Sequence, residues 1–279
     1  MNSYSIPDRT PRSIGTKTRD LFAYRCIREN IEATGVTQSE QLWIYRGLLL
    51  LQQEIYLLDR YGETNWTIEP RRLQFLWERL SDRLEYFRPE RHHARELLRD
   101  ISMYQAIELR MRLGELPIRV PLHKFYSLKI CDVRLCRRLI ASFARRTISP
   151  QISRLWYLFD LLTEIADDIH DVQEDSVSFN CNRFMFEAVL SGQAMAYLSY
   201  ARLISAIRDE AVGLLHGSGQ NGQLATEMYG WVVATADEVV ADLTTACEAS
   251  YGSDAITSRA NSLTYSSHVR RTLKSSSQR

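Results

Sequence analysis

Apolar positions recur at three- and four-residue intervals along most of this chain, the period of a helix seen from one side. The pattern starts near Asp20, in LFAYRCIRENI, and resumes after Thr37, Gln38 and Ser39, a start signal for the long apolar helix EQLWIYRGLLLLQQEIYLLDRYGE. Gly62 is expected to end that helix. Further helices are expected over 70–87, 89–113, 133–146, 150–175, 182–216 and 222–250. Between them GELPIRVPLHKFYSLKICD, with Pro117 and Pro121, breaks the periodicity and reads as an interrupted helix at a site. No βαβ alternation and no internal repeat occurs, so the pattern predicts an all-α, single-domain helical bundle.

Composition agrees. Only seven Pro and twelve Gly punctuate 279 residues, and 45% hydrophobic content is enough to bury a large core as one domain, or two at most. The 35 basic and 34 acidic residues nearly cancel, so no global field points to nucleic acid or to a membrane surface. The five cysteines are odd in number and form no CxxC pair, which fits a reducing, cytoplasmic setting better than a disulfide framework or a zinc site. No apolar run approaches the length of a membrane span. Residues 1–18 read as a flexible polar arm, 19–271 as the helical domain, and 272–279 as the end of a basic, Ser-rich tail.

Chemistry is concentrated in DLLTEIADDIHDVQED, Asp160 to Asp175. At about 100° per residue, Asp160, Glu164, Asp167, Asp171 and Asp175 fall within a sector of roughly 80°. The opposite side carries Leu158, Leu161, Leu162, Ile165, Ile169 and Val172. Like charges at i, i+4 cost about 0.2–0.5 kcal/mol per pair. A divalent cation would offset that cost, and magnesium prefers oxygen ligands, taking one or two carboxylates together with phosphate oxygens. A solvated acidic face is the plainer alternative. Asp59 and Glu63, also at i, i+4, close the long upstream helix.

These features resemble the class I isoprenoid synthases, and among them bacterial terpene cyclases of the ent-kaurene synthase type. That family carries a DDxxD-like motif on one helix and an (N/D)DxxSxxxE motif on a later one. ADDIHDVQED is similar to the later motif, with Asp167, Asp171 and Asp175 in its ligand places. YLLDRYGE looks like a degenerate first motif, keeping Asp59 and Glu63 and placing Arg60 where the second Asp usually stands. Phe125 and Lys129 in HKFYSLKICD match the family's aromatic residue and its basic diphosphate sensor four positions later, with Arg134 nearby. In SHVRR, His268 and Val269 replace the family's diphosphate-closing Arg-Tyr pair, and Arg270 follows.

The resemblance implies a class I isoprenoid synthase (α-terpenoid synthase) fold. It also implies a magnesium-dependent terpene cyclase, using three Mg2+ ions, that ionises farnesyl or geranylgeranyl diphosphate and closes the carbocation into a sesqui- or diterpene. Asp59, Glu63, Asp167, Asp171 and Asp175 would hold metal; Lys129, Arg134, His268 and Arg270 would meet the diphosphate. Tyr56, Phe125 and Trp156 would line an aromatic pocket, and a homodimer is compatible with the family. DVQED is also similar to DVGED of squalene and phytoene synthases, so a prenyl-coupling enzyme is the first alternative, though SVSFNCNRFMFEAVL lacks their basic, Gly-rich continuation. A non-catalytic helical protein whose acidic helix meets a basic partner is the second.

Elsewhere the sequence offers less. His170 lies off the carboxylate stripe and reads as packing or surface, and His92 and His93 as solvated. Cys131 and Cys136 have no His at a recognisable spacing, and no GxGxxG or GxSxG occurs.

Overall fold

Ser13 opens the first helix: its side chain accepts a hydrogen bond from the Thr16 amide at 3.2 Å. The computed structural model describes residues 13–250 apart from 66, 90, 113, 114, 116, 177–179 and 217–221. Within it run α1 (Ile14–Tyr24), α2 (Ile27–Ala33), α3 (Gln38–Thr64), α4 (Pro70–Glu85), α5 (Arg91–Arg112) and α6 (Leu122–Lys129). There follow α7 (Cys131–Ser142), α8 (Pro150–His170), α9 (Val172–Asp175), α10 (Arg183–Ser191), α11 (Gln193–His216) and α12 (Gln223–Ser250). A 3-10 turn, Pro117–Arg119, precedes α6. The described residues contain no strand, and the chain is all-α.

Several boundaries differ from the sequence pattern for identifiable reasons. The first helix starts at Ile14, inside the segment read as an arm, because Ser13 caps it and Thr18 is buried. It does not run on through Ile31: Cys26 adopts φ 50°, a left-handed conformation that turns the chain sharply into α2. Gly62 does not end α3, which continues to Thr64. The segment 182–216 is two helices, because Gly192 at φ 83° breaks it. The interrupted segment around Pro117 and Pro121 resolves into the 3-10 turn and α6, and Ile130 separates α6 from α7.

Capping explains the longest elements. Thr37 and Glu40 form a reciprocal capping box at the start of α3. Ser149 caps α8, with Pro150 at the first helical position.

Two apolar cores result. One gathers Phe22, Ile44, Leu48, Leu51, Leu58, Leu80 and Leu139 from α1 to α5 and α7. The other gathers Phe125, Tyr126, Trp156, Leu162, Tyr200, Val232 and Leu243 from α6, α8 and α10 to α12. Burying each of these side chains contributes about 1.5–3 kcal/mol before chain entropy is subtracted. Gly47 lets α3 approach the end of α4, since a Cβ there would run into the rings of Tyr86 and Phe87.

Helices α8 and α12 lie side by side in the same direction. Trp156 meets Trp231 near their starts at 5.8 Å between centroids, and His170 meets Asp242 near their ends at 2.8 Å. The acidic end of α8 therefore emerges at one end of the bundle, on the side of its own C-terminus.

Candidate active site

The apolar side of α8 is fixed by burial of Leu158, Leu161, Leu162, Ile165 and Ile169, so its carboxylates are presented to the remaining helices. They divide into two groups that differ in how their charge is met.

The first group is ion-paired to cations from other parts of the chain. Asp160 is buried and receives both arms of Arg137, Nε and Nη2 each at 2.6 Å. Glu164 receives Arg25 Nη2 at 2.6 Å and Lys129 Nζ at 3.2 Å. Burial alone would raise the Glu164 pKa; Lys129 and Arg25 outweigh it and hold the group below the usual carboxylate range. Asp168, also buried, pairs with Lys129 and accepts from the Tyr126 hydroxyl at 2.7 Å and from the Arg183 amide at 2.9 Å. The Tyr126 hydroxyl lies 2.7 Å from that of Tyr200.

Arg25 is the unexpected member. It stands at the elbow between α1 and α2, its side chain 1% exposed. Nη1 donates to the Asp160 carbonyl at 2.7 Å and to the Thr163 hydroxyl, while Nη2 reaches Asp167 at 3.1 Å as well as Glu164. The Arg25 carbonyl in turn accepts from Arg137 at 2.9 Å. The elbow is thereby plugged into the side of α8.

In the second group desolvation and neighbouring carboxyl groups disfavour the charged form. Asp167, 38% exposed, is pushed up to about 7 by desolvation, with Glu164 and Asp171 adding to the shift against Arg25 and Lys129. Asp171 ends α8 at a kink before α9 and is pushed up to about 6, first by desolvation and then by Asp175 and Glu174. On α3, Asp59 is raised well above the ordinary value by desolvation and by Glu108, Asp132 and Glu63 together. Asp132, on α7, is raised by desolvation and by Glu164, although Gln52 donates to it at 2.7 Å. The acidic end of α3 and the acidic face of α8 thus share one electrostatic neighbourhood through Asp132 and Glu164.

Asp175 differs again. The kink at Asp171 turns it inward, where Asn180 donates at 2.7 Å and Asn182 at 2.8 Å. Asn182 also donates to the Asp168 carbonyl at 2.6 Å and caps α10 through the Met185 amide at 2.8 Å.

The five-carboxylate face expected from the sequence is therefore divided: Asp160 and Glu164 hold arginines and a lysine, Asp175 is tied by two asparagines, Asp167 shares Arg25 with Glu164, and Asp171 is exposed at the end of α8. Lys129 is turned into the protein, onto Asp168 and Glu164. Arg134 donates to the Ser127 carbonyl at 2.8 Å and pairs with Asp100. Phe125 packs at 5.4 Å from Tyr126, and Trp156 lies under the Arg137 guanidinium at 4.0 Å. The Tyr56 ring lies beneath Lys17 Nζ, 5.0 Å from its centroid. His268 and Arg270 lie outside the described residues, as does the 272–279 tail, whereas His170 is the surface residue expected.

Sequence reading missed Arg25, Asp132 and Asp168. Asp168 carries a visible signal, as the second Asp of ADD. Arg25 carries none, since nothing local distinguishes it from the other arginines. The chain matches no known family model, curated protein or solved structure.

Among the described residues no group of three or more His, Cys, Asp or Glu is assembled to hold a metal ion. Magnesium needs only one or two carboxylates when a phosphate-bearing ligand and water complete its shell. Asp167 and Asp171 at the end of α8, and Asp59 on α3, are hard oxygen donors of the kind that would suit such an ion.

Proposed function

We propose that this protein is a magnesium-dependent class I terpene cyclase acting on a linear prenyl diphosphate. The observation that carries this reading is the crowding of the Asp59, Asp167 and Asp171 carboxyl groups by other acids at the ends of two long helices of an all-α chain. Each is driven up in pKa by desolvation and by neighbouring carboxylates. Such crowding favours a hard divalent cation with an anionic ligand that bridges it.

In this reading Asp167, Asp171 and Asp59 bind the metal, with Glu63 beside Asp59, and Asn180 and Asn182 fix Asp175 behind them. Magnesium would supply Lewis-acid stabilisation of the departing diphosphate. The carbon–oxygen bond of the allylic diphosphate would break with its electron pair leaving on oxygen, the allylic cation would close on a distal double bond, and the cyclic cation would be discharged by losing a proton to the released diphosphate or by capturing water with loss of a proton. Arg25, Arg137 and Lys129 hold Glu164, Asp160 and Asp168 in place, so the face does not rearrange as charge develops. Phe125 and Tyr126 are buried in the core behind Lys129 and Asp168 and give that side of the face an apolar backing.

The test is incubation of purified protein with farnesyl and with geranylgeranyl diphosphate, with and without magnesium, followed by mass analysis of organic extracts. A magnesium-dependent cyclic product supports the reading, and loss of that product in Asp167→Ala and Asp171→Ala supports the residues. A doubled chain would make the protein a prenyl-coupling enzyme. No product from either substrate, with no magnesium binding, would overturn the reading in favour of a helical binding protein. The lack of a preassembled metal-ligand group among the described residues is the observation that favours that second reading.

A further inference from the structure

Between Glu187 and Arg202, residues 188–201, AVLSGQAMAYLSYA, carry no charged side chain. They form the end of α10, the turn at Gly192 and the start of α11. Val189, Leu190, Met195 and Leu198 around that turn are 45–52% exposed, and a Cβ at Gly192 would meet nothing within 4 Å. The turn therefore stands at the surface with its apolar side chains in water. Its backbone is not left open, since the Ala196 amide donates to the Gly192 carbonyl at 3.0 Å.

A second stretch borders it. Arg183, at the start of α10, donates through Nη2 to the Ile118 carbonyl at 2.9 Å, which places the 3-10 turn against α10. Ile118 is 41% exposed, and Arg119 and Lys124 after it are exposed as well. From residue 116 to residue 131 there is no Asp or Glu. An uncharged apolar knuckle is thus bordered by a stretch whose charges are all basic. That composition separates two kinds of partner. Protein interfaces draw most of their binding energy from Trp, Tyr and Arg, with Leu and Val under-represented. A surface that enters the edge of a bilayer instead offers apolar side chains free of charge, with Lys and Arg at the level of the anionic headgroups.

We infer that this knuckle docks the protein on an anionic bilayer: Val189, Leu190, Met195 and Leu198 enter the acyl boundary while Arg119 and Lys124 meet the headgroup phosphates. Among the described residues no helix is long and apolar enough to cross a membrane, so the attachment is peripheral and reversible. The Arg183 amide donates to Asp168 at 2.9 Å, so α10 joins the acidic end of α8 to the docked face. Docking does not require that site to act on a prenyl diphosphate, and it is tested without one.

Full-length protein is floated with phosphatidylcholine vesicles, with and without phosphatidylglycerol, at low and at high salt. Wild type is expected to float with the anionic vesicles, and less so at high salt. Leu190→Asp combined with Met195→Asp is expected to lower that partition by about tenfold or more, because a charge resists entry into the acyl boundary. Arg119→Glu combined with Lys124→Glu is expected to abolish the preference for anionic over neutral vesicles. Leu42, 50% exposed on α3, is the control: Leu42→Asp is expected to float as wild type does. Circular-dichroism melting of each variant separates loss of docking from loss of fold. Wild type that stays out of the vesicle fraction overturns the inference, and so does equal flotation of wild type and a folded Leu190→Asp, Met195→Asp variant. A dimer in light scattering that the same two substitutions dissociate would assign the face to a second copy and overturn it too.

Discussion

Arg137 grips Asp160 with two parallel hydrogen bonds of 2.6 Å, across the interface between α7 and α8. The same guanidinium donates to the Arg25 carbonyl and covers the Trp156 ring. One side chain therefore joins the α1–α2 elbow, α7 and α8 beneath the acidic face. Removing it would leave a buried carboxylate without a counter-charge.

Arg137→Ala is accordingly expected to destabilise the fold by about 3–5 kcal/mol, the usual cost of breaking one side of a buried pair. Denaturant unfolding followed by circular dichroism measures it. A loss below about 1 kcal/mol would mean that water reaches Asp160.

The adjacent aspartates should behave oppositely. Asp168→Asn removes the charge that holds Lys129 and accepts from Tyr126 and the Arg183 amide, so it is expected to cost about 3–5 kcal/mol. Asp171→Asn lies at the exposed end of α8 and removes a charge whose ionisation works against folding, so stability at neutral pH should be kept or slightly raised. Magnesium binding should be lost with Asp171→Asn while its fold is kept.

The pH dependence follows from the direction of two shifts. Asp167 is raised to about 7 and Asp171 to about 6, above the ordinary carboxylate value near 3.9. The folded state then binds more protons than the unfolded chain between about pH 4 and 7, so these groups reduce stability as pH rises through that window. Metal-free protein should melt at a higher temperature at pH 5 than at pH 8. Added magnesium should raise the melting temperature more at pH 8, where both carboxylates are ionised. Asp167→Asn should flatten the first dependence.

Asn182→Ala removes a helix cap together with the donors to Asp175 and to the Asp168 carbonyl. A cap alone is worth about 1 kcal/mol, and a buried acceptor left unsatisfied about 1–3 kcal/mol more. Hydrogen exchange should show α10 opening before α8 and α12.

The sequence made the all-α character legible because periodicity and capping are local. It also made the acidic face of α8 legible, since angular spacing alone places Asp160 to Asp175. What it could not give was the partner of each carboxylate. Arg25 reaches Glu164 from 139 positions away, through a left-handed Cys26 that nothing in the local pattern demands. The division of one stripe into ion-paired and crowded carboxylates depends on such distant cations. The kink at Asp171 and the hold of Asn180 and Asn182 on Asp175 beyond it are likewise absent from the helical period.

The elbow at Arg25 and Cys26 sets a limit on how the protein can be trimmed. A shortened form that starts beyond Arg25 would keep α2 and all the helices after it. It would still strip the counter-charge from Glu164 and Asp167 and empty a space the size of a guanidinium beside α8. The first helix behaves as a plug whose removal opens the bundle at its most highly charged point, and fusion partners or tags are better joined ahead of Ser13 than substituted for α1.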